Sequence, residues 1–352
     1  MTRQIRFFEA LREAQDQCMA KDPSVYIMGL GVPDPKGVFG TTTGLQSKYG
    51  SERVMDMPLS ENGMTGVAIG SALVGMRPIL THQRMDFALV SIEQLVNQAA
   101  KWHFMFGGQS RVPLVVRMIV GRGWGQGPQH SQSLHAWFAH IPGLKVILPT
   151  TPYDAKGLLI SAIEDDDPVI VVEHRWLYGI ADEVPAEMYR VPLGKARVMR
   201  SGKDVTIVGA SYMALEALRA ADLLAAEGIS AEAGDLRSLR PLDAETIVQS
   251  VRKTGRLVVA DHSWREFGTA SEIVALASER AFTALKAAPV RIALPDSPVP
   301  SSPALADSYY PRAPHIVAAV NRMLGRRVDP ASFAVPPGRR LDQPDPSFTG
   351  PF

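Results

Sequence analysis

The sequence predicts an α/β protein of two domains with largely parallel sheets. Short apolar runs rich in β-branched residues alternate along most of the chain with segments of helical period. The length of 352 residues exceeds that of one ordinary core and suits two. A less regular stretch with proline and glycine, at about 178–203, interrupts this alternation of strands and helices once. We therefore expect a first domain at 1–185, a linker at 186–203, a second domain at 204–326 and a proline-rich tail at 327–352.

The first domain contains five predicted strands separated by helical patterns. The N-terminal segment, the segment after Gly63 and Gly66, and the stretch after Pro152 have the helical period, and proline is tolerated near the start of a helix. A further helix is predicted from Ser91 to Phe106, with the acidic Glu93 in its first turn. The strands are the apolar runs 25–32, 77–82, 113–120, 145–149 and 168–174.

The second domain resumes the alternation of strands and helices. Gly228 is placed to end the first of its helices, and Asp243 is placed to cap the second. The tail is proline-rich and aperiodic, and we expect it to be disordered or draped over a partner. The strands are predicted at 204–211, 230–237, 256–263 and 290–296, and the helices at 213–228, 244–255, 267–282 and 314–324.

The composition argues against several classes of protein. Lys and Arg number 37 and Asp and Glu 36, with no basic cluster, so neither nucleic acid nor a membrane surface is an expected partner. The one cysteine, Cys18, can form no intramolecular disulfide, and its inward position on the first helix predicts a buried thiol. No apolar run approaches the roughly 20 residues that cross a bilayer. The N-terminal helical segment also lacks a cleavage site, so we expect the cytoplasm of a bacterium.

The segment 121–127, Gly-Arg-Gly-Trp-Gly-Gln-Gly, invites comparison with nucleotide-binding loops. Its spacing lacks the glycine pattern of a dinucleotide-binding turn, and no helix follows it directly. We interpret the glycines as giving an active-site loop its conformational freedom. His130 follows in this loop, between two predicted strands, where catalytic groups are often held. A lone histidine is otherwise more often structural.

Several motifs in a fixed order carry a resemblance to a known family. They lie at 57–79, 86–101, 127–163, 232–262 and 294–302, and the first of them contains Met-Pro-Leu-Ser-Glu-Asn-Gly. Over nearly all of its length before the tail, the chain resembles the β subunits of pyruvate and branched-chain 2-oxoacid dehydrogenases. The resemblance implies a thiamine-binding, pyrimidine-type parallel-sheet domain followed by a transketolase C-terminal-like α/β domain.

Glu61 matches the family's glutamate that hydrogen-bonds N1′ of the thiamine aminopyrimidine. This bond stabilises the imino tautomer, whose exocyclic nitrogen removes the thiazolium proton. A glutamate in this role must carry or share a proton, so the resemblance implies an apolar pocket that raises its pKa. From the residues alone, a glutamate at a strand-to-helix turn is more often a capping carboxylate.

Four further residues match other parts of the family's active site. Phe87 corresponds to the aromatic residue that stacks on the aminopyrimidine, with simple core packing as the alternative. Met57 and Leu59 are expected to line the same cofactor site. His130 matches the active-site histidine, whose imidazole can donate a proton to a bound 2-oxoacid adduct and steer acyl transfer to a lipoyl group.

The family also holds a structural alkali-metal ion, mainly by main-chain carbonyls of the β subunit. Potassium suits such oxygen ligands, whereas an acidic run of this kind is otherwise a solvated turn. The matching residues are Leu114, Ala162, Ile163, Asp165 and Asp167.

The sequence lacks the Gly-Asp-Gly motif with which thiamine enzymes hold the magnesium ion of the diphosphate. The resemblance therefore implies an α subunit that supplies the diphosphate and magnesium site. It also implies a second copy of this chain in an α2β2 heterotetramer, and a lipoyl-bearing dihydrolipoyl acyltransferase as a further partner. The predicted function is oxidative decarboxylation of a 2-oxoacid with acyl transfer to a lipoyl group.

Two alternative functions stay open. A split transketolase-like or carboligating enzyme would keep Glu61 but pass its adduct to an aldehyde. A non-catalytic scaffold subunit would have no need of Glu61, Phe87 and His130 together. Arg84 and Trp124 depart from the residues usual in the family. Arg84 could bind an acidic group of the substrate or pair with a partner carboxylate. Trp124 stands where a small residue is expected, so the acyl group that the enzyme accepts stays open.

Overall fold

The computed structural model describes residues 2–123, 125–328 and Gln343. The predicted tail at 327–352 therefore lies outside the described residues apart from three positions, and Trp124 lies outside them as well. In the described ranges, no helix combines the length and the apolar composition needed to span a bilayer.

The described residues divide into two compact units. The first unit contains 2–121 and 137–193, and the second contains 122–136 and the residues from 194 onward. The segment with His130 thus belongs to the second unit, although it lies within the first half of the sequence.

The first unit is built on a parallel sheet whose central strands are buried on both faces. Among the described strands, six run in the order β6–β7–β5–β4–β2–β3, and β2, β5 and β7 are buried throughout, as expected when helices cover both faces. All five strands predicted for this half are confirmed. The strands in chain order are β1 (Thr2–Arg6), β2 (Val25–Gly29), β3 (Val54–Met55), β4 (Arg77–His82), β5 (Val115–Val120), β6 (Lys145–Ile147), β7 (Val169–His174) and β8 (Ala181–Pro185).

Helices of regular and irregular kinds connect these strands. Thr151 caps the helix after β6 by accepting a hydrogen bond from the main chain of Asp154 at 3.1 Å. Cys18 is buried as predicted, and burial raises the pKa of its thiol to about 12. The α-helices of this half are α1 (Phe7–Lys21), α2 (Leu45–Tyr49), α3 (Glu61–Leu73), α4 (Trp102–Met105), α5 (His135–His140) and α6 (Pro152–Glu164); the 3-10 helices are Met85–Ser91 and Arg175–Leu177, and Gln94–Ala99 is a π-helix.

Two predictions for this half are wrong in detail. The N-terminal segment starts as β1, which pairs antiparallel with β8, and α1 begins only at Phe7. The helix predicted from Ser91 to Phe106 is broken into a π-helix and the short α4. Ser91 does not cap it, because this residue ends the preceding 3-10 helix and its hydroxyl donates to the carbonyl oxygen of Ala88 at 3.0 Å. π-Helical turns are often found at functional sites.

The second unit is a smaller α/β layer. Its described sheet has the order β14–β13–β10–β11–β9, parallel except for the antiparallel edge strand β9. Asp243 caps α8 as predicted and accepts from the main chain of Thr246 at 3.3 Å. The elements are β9 (Arg197–Arg200), β10 (Val205–Gly209), α7 (Tyr212–Ala226), β11 (Ala231–Asp235), β12 (Ser238–Arg240), α8 (Ala244–Thr254), β13 (Leu257–Trp264), α9 (Thr269–Ala281), a 3-10 turn (Phe282–Ala284), β14 (Val290–Leu294), α10 (Pro303–Tyr309) and α11 (Ala313–Met323).

Candidate active site

Glu61 is the first residue of α3. The first turn of this helix is fixed by two hydrogen bonds: Met64 N donates to Ser60 O at 2.9 Å, and Thr65 Oγ1 donates to Glu61 O at 2.7 Å. The Glu61 side chain is half-buried, so this chain alone does not enclose it in the apolar pocket that the sequence led us to expect. A carboxylate at a helix N-terminus is stabilised by the helix dipole.

Phe87 lies on the 3-10 helix that packs against α3. This packing brings the elements that carry Glu61 and Phe87 together at one side of the first unit. Met57 is buried just before α3, whereas Leu59 is 82% exposed. A carboxyl group, an aromatic face and an exposed aliphatic side chain on neighbouring elements suit a flat, mostly apolar ring with a hydrogen-bonding edge. The residues present therefore fit the aminopyrimidine half of thiamine diphosphate.

Arg84 is buried within the first unit, just after the end of β4. Its Nη1 donates to the carbonyl oxygen of Gly121 at 2.8 Å. Its guanidinium carbon lies 5.6 Å from the centre of the Phe39 ring, and that of Arg175 lies 4.6 Å from the same ring. These contacts hold the end of β5, where the glycine-rich loop begins.

His82, at the end of β4, is a buried histidine. Burial lowers the pKa of His82 to about 4, so the ring is neutral at physiological pH. Its Nε2 has no hydrogen-bond partner among the described residues.

His130 is exposed and lies in the segment 122–136 of the second unit. Its main-chain N–H donates to Gly127 O at 3.2 Å, which closes a turn around the histidine. The side chains that follow, from Ser131 to His135, are mostly buried. The turn thus presents His130 outward, whereas the residues that follow it are mostly buried in the second unit.

The pair formed by His135 and Asp261 is a feature that the sequence did not reveal. Nε2 of His135 lies 2.9 Å from Oδ1 of Asp261, and both side chains are buried. Although burial opposes it, the interaction with His135 and hydrogen bonds from His135 and Ser263 lower the pKa of Asp261 to about 2. The two partners are separated by 126 residues, and one sequence gives no signal that would pair them.

Two of the carbonyl groups predicted to bind an alkali-metal ion accept hydrogen bonds from the guanidinium of Arg77. Its Nη1 donates to Ile163 O at 3.1 Å and to Asp165 O at 3.0 Å. Ala162 O accepts from Asp165 N at 3.3 Å, and Leu114 O is bonded to the main chain two residues beyond Asp167. Each carbonyl oxygen keeps a second lone pair.

The acidic side chains of this turn are neutralised by neighbouring cations. Lys145 Nζ lies 2.7 Å from Asp165 and 3.1 Å from Asp167, and Arg111 lies 3.3 Å from Asp167. Within the ranges described, no group of three or more histidine, cysteine, aspartate or glutamate side chains is placed to hold a metal ion.

Two family models match the chain one after the other. The transketolase pyrimidine-binding domain matches residues 3–180, and the transketolase C-terminal domain matches residues 194–316. The β subunit of acetoin:2,6-dichlorophenolindophenol oxidoreductase from Cupriavidus necator is 48% identical, over 92% of this chain and 98% of that relative. The pyruvate dehydrogenase E1 subunit beta-2 of Oryza sativa subsp. japonica is 44% identical, over 93% of this chain and 88% of the relative. The chain belongs to the 2-oxoacid dehydrogenase β-subunit family.

Membership of this family confirms the resemblance drawn from the motifs. It also confirms the fold, a pyrimidine-binding α/β domain followed by a transketolase C-terminal α/β domain. A solved structure titled as an inactive β4 tetramer of a split-gene transketolase has a TM-score of 0.75 and 26% identity, covering 92% of this chain and 99% of that one. The chain is thus a β component of a thiamine-dependent 2-oxoacid dehydrogenase.

Proposed function

We propose that this β subunit, together with an α subunit, catalyses oxidative decarboxylation of a 2-oxoacid and transfers the acyl group to a lipoyl group. The observation that carries the proposal is the position of Glu61 at the start of α3, on a helix packed against the element that carries Phe87. This arrangement is suited to hold an aminopyrimidine ring by its edge and by its face.

Thiamine diphosphate, when bound, supplies the nucleophilic carbon that adds to the keto group. The Glu61 carboxyl would hydrogen-bond the pyrimidine nitrogen, while Phe87 would lie against the ring and Met57 and Leu59 would line its apolar surroundings. His130 would act as a proton donor during acyl transfer, a role for which an imidazole side chain is suited.

The exposure of this region supports the proposal that an α subunit completes the site. Leu59 is 82% exposed and Glu61 is half-buried, so a partner that covers them would create the apolar surroundings that a protonated glutamate requires. We assign the diphosphate and its magnesium ion to that partner. Apolar side chains exposed on α3 and on α4 are available for further subunit contacts in an α2β2 assembly, namely Val67, Phe104 and Met105.

A structural potassium ion belongs to the same proposal. The main-chain oxygens of Leu114, Ala162, Ile163 and Asp165, with Asp167 beside them, could each donate a second lone pair. Arg77 already places positive charge within hydrogen-bond distance of two of these oxygens, so weak binding is expected. Unfolding in potassium chloride and in choline chloride at equal ionic strength tests it: a higher midpoint with potassium supports the ion, and equal midpoints refute it.

Oxidation of acetoin is a second candidate function. The relative from Cupriavidus necator, at 48% identity, and one from Bacillus subtilis, at 42%, are both named as acetoin oxidoreductase β subunits. Acetoin is uncharged and a 2-oxoacid is an anion, so the two substrates require different groups around them. Parallel assays of pyruvate, branched-chain 2-oxoacids and acetoin with the assembled enzyme separate the two functions.

Calorimetry with thiamine diphosphate and magnesium provides the first test. The titration is run on this chain alone and on the complex co-expressed with its α-type partner. Binding by the complex alone supports a shared site and justifies the substrate screen with a lipoyl acceptor. Tight binding to the lone chain would refute the two-subunit arrangement. Product formation with an aldehyde acceptor, but none with lipoamide, would favour a carboligating enzyme. The absence of any turnover would favour a scaffold subunit.

A further inference from the structure

The segment 122–136 is fastened to the second unit at both of its ends. At the start, Arg122 is buried, and its Nη2 donates to Ser301 O at 2.6 Å while its Nε donates to Pro300 O at 3.3 Å. At the end, His135 is bonded to Asp261 on β13 at 2.9 Å. His130 lies between these two anchors.

The middle of the segment lies close to the same support. A Cβ atom on Gly127 would lie 2.0 Å from Ser301 Oγ, 3.1 Å from its Cβ and 3.3 Å from its Cα, so the segment approaches this loop closely and glycine fits best there. The loop that contains Ser301 is itself held, because Trp264 Nε1 and the Tyr309 hydroxyl both donate to Ser297 O at 2.8 Å. The end of β13 therefore supports both anchors. Asp261 binds His135 directly, and Trp264 holds the loop to which Arg122 is bonded.

The carboxylate of Asp261 is held in one orientation. The main-chain N–H of Ser263 donates to Oδ1 at 3.2 Å, and the Ser263 hydroxyl donates to Oδ2. Since the acceptor is an ionised carboxylate, Nε2 of His135 carries the hydrogen of their shared bond. Nδ1 of His135 has no hydrogen-bond partner among the described residues, so within them the bond to Asp261 is the hydrogen bond that orients the buried ring.

We propose that His135 and Asp261 are a positioning pair that holds the His130 turn in the geometry needed for acyl transfer to a lipoyl group. This inference rests on the proposed function, because it presupposes that His130 serves that step. Glycines at 123, 125 and 127 give the segment conformational freedom, which the two anchors restrict. A displacement of about 1 Å in a catalytic group can slow a reaction about 100-fold.

The test uses the assembled complex and two rates. One is turnover with an artificial electron acceptor, and the other is acylation of a lipoyl domain. Asp261→Ala is expected to slow acylation about 10- to 100-fold through kcat, with KM for the lipoyl domain and the artificial-acceptor rate close to those of the wild type. Asp261→Asn, which keeps an oxygen acceptor for His135, should retain most of the acylation rate.

A matched control distinguishes positioning from general loss of stability. Glu216 is a buried carboxylate of the same unit, paired with Arg219 at 2.6 Å and Arg312 at 3.6 Å, and the segment 122–136 contributes none of these partners. Glu216→Gln should change the two rates by the same factor. If Asp261→Ala also changes both rates equally, the pair is merely structural and the inference is wrong. If Asp261→Ala does not fold, His135→Leu and the conservative His135→Gln make the same comparison.

A double-mutant cycle separates this inference from the function on which it rests. In a His130→Ala background, Asp261→Ala should slow acylation no further, because the pair acts through His130. If His130→Ala alone leaves acylation intact, the role proposed for His130 fails. If His130→Ala slows acylation but Asp261→Ala does not, only the positioning inference fails.

Discussion

Arg117 and Glu173 form a bidentate ion pair between the adjacent strands β5 and β7 of the first unit. Nε and Nη2 of Arg117 donate to the two carboxylate oxygens at 2.6 and 2.8 Å, and neither side chain is exposed. The hydroxyl of Tyr178 donates to Glu173 at 2.6 Å, and Arg117 Nη1 donates to Gln15 Oε1 at 3.1 Å. These bonds offset the loss of hydration that both charges incur on burial. Arg117 lies four residues before Gly121, where the loop toward His130 begins.

Removing one partner of this pair should strongly destabilise the first unit. Glu173→Ala leaves the Arg117 charge buried without a counter-ion, and the expected loss in the free energy of unfolding is about 3–5 kcal/mol. Urea unfolding of the lone chain measures it. Glu245→Ala is the matched control, because Glu245 forms an exposed pair with Arg280 and its removal should cost less than about 1 kcal/mol. Equal losses in the two variants would contradict this account.

The sequence predicted the strands that contain this pair but not the pair itself. Apolar runs with β-branched residues identify β5 and β7 as buried strands wherever they lie in the sheet. Their adjacency depends on sheet order, which one sequence does not encode locally. Glu61, Phe87 and His130 could be named because they stand in local sequence motifs. The bond between His135 and Asp261 could not be predicted, because it joins residues that are distant in the sequence.

Local errors in the prediction have physical causes as well. β1 is exposed along most of its length and carries charged residues, so no apolar alternation marks it, and its pairing with β8 overrides the helical period. In Ser91–Phe106 the helical period is present, but the chain has π-helical geometry at Gln94–Ala99. The spacing of apolar side chains distinguishes an α-helix from a π-helix poorly, because π-helical turns occur as short insertions within α-helices.

Glu61→Ala should abolish turnover without unfolding the protein. Glu61 is half-buried at a helix start, so little packing is lost, whereas its proton-transfer role is worth at least about 100-fold in rate. Turnover of the assembled complex and exchange of the thiazolium proton, followed by NMR, measure the effect. Glu52→Ala removes an exposed carboxylate nearby and should leave both quantities unchanged. A Glu61→Ala enzyme with most of its activity would falsify the assigned role.

Phe87→Leu tests whether Phe87 contacts the cofactor or only packs in the core. Leucine keeps an apolar side chain but lacks an aromatic face, whose stacking is worth about 0.5–1.5 kcal/mol, so affinity for thiamine diphosphate should fall about 2- to 10-fold. Calorimetry on the assembled complex measures the affinity, and urea unfolding of the lone chain measures stability. Core packing alone predicts the opposite outcome, a lower unfolding free energy with unchanged affinity.

The stability of the lone chain should fall on acidification from pH 6.5 toward pH 4, partly because of His82. Burial lowers the pKa of His82 from 6.5 to about 4, so between these values the unfolded state binds a proton that the folded state does not. Stability therefore rises with pH across this window and is constant with respect to His82 above it. A shift of this size corresponds to a few kcal/mol, since one pKa unit is about 1.4 kcal/mol.

His82→Phe isolates this contribution, because phenylalanine fills the site of the ring without a titrating group. The difference in unfolding free energy between pH 7.5 and pH 5 should be smaller in the variant than in the wild type. His262 keeps part of the dependence in both proteins, because burial and the nearby Arg312 lower its pKa to about 4 as well. His140→Phe is the control for the substitution itself, since His140 is exposed. An identical pH dependence in wild type and His82→Phe would show that His82 takes up its proton in the folded state, which requires water to reach the end of β4.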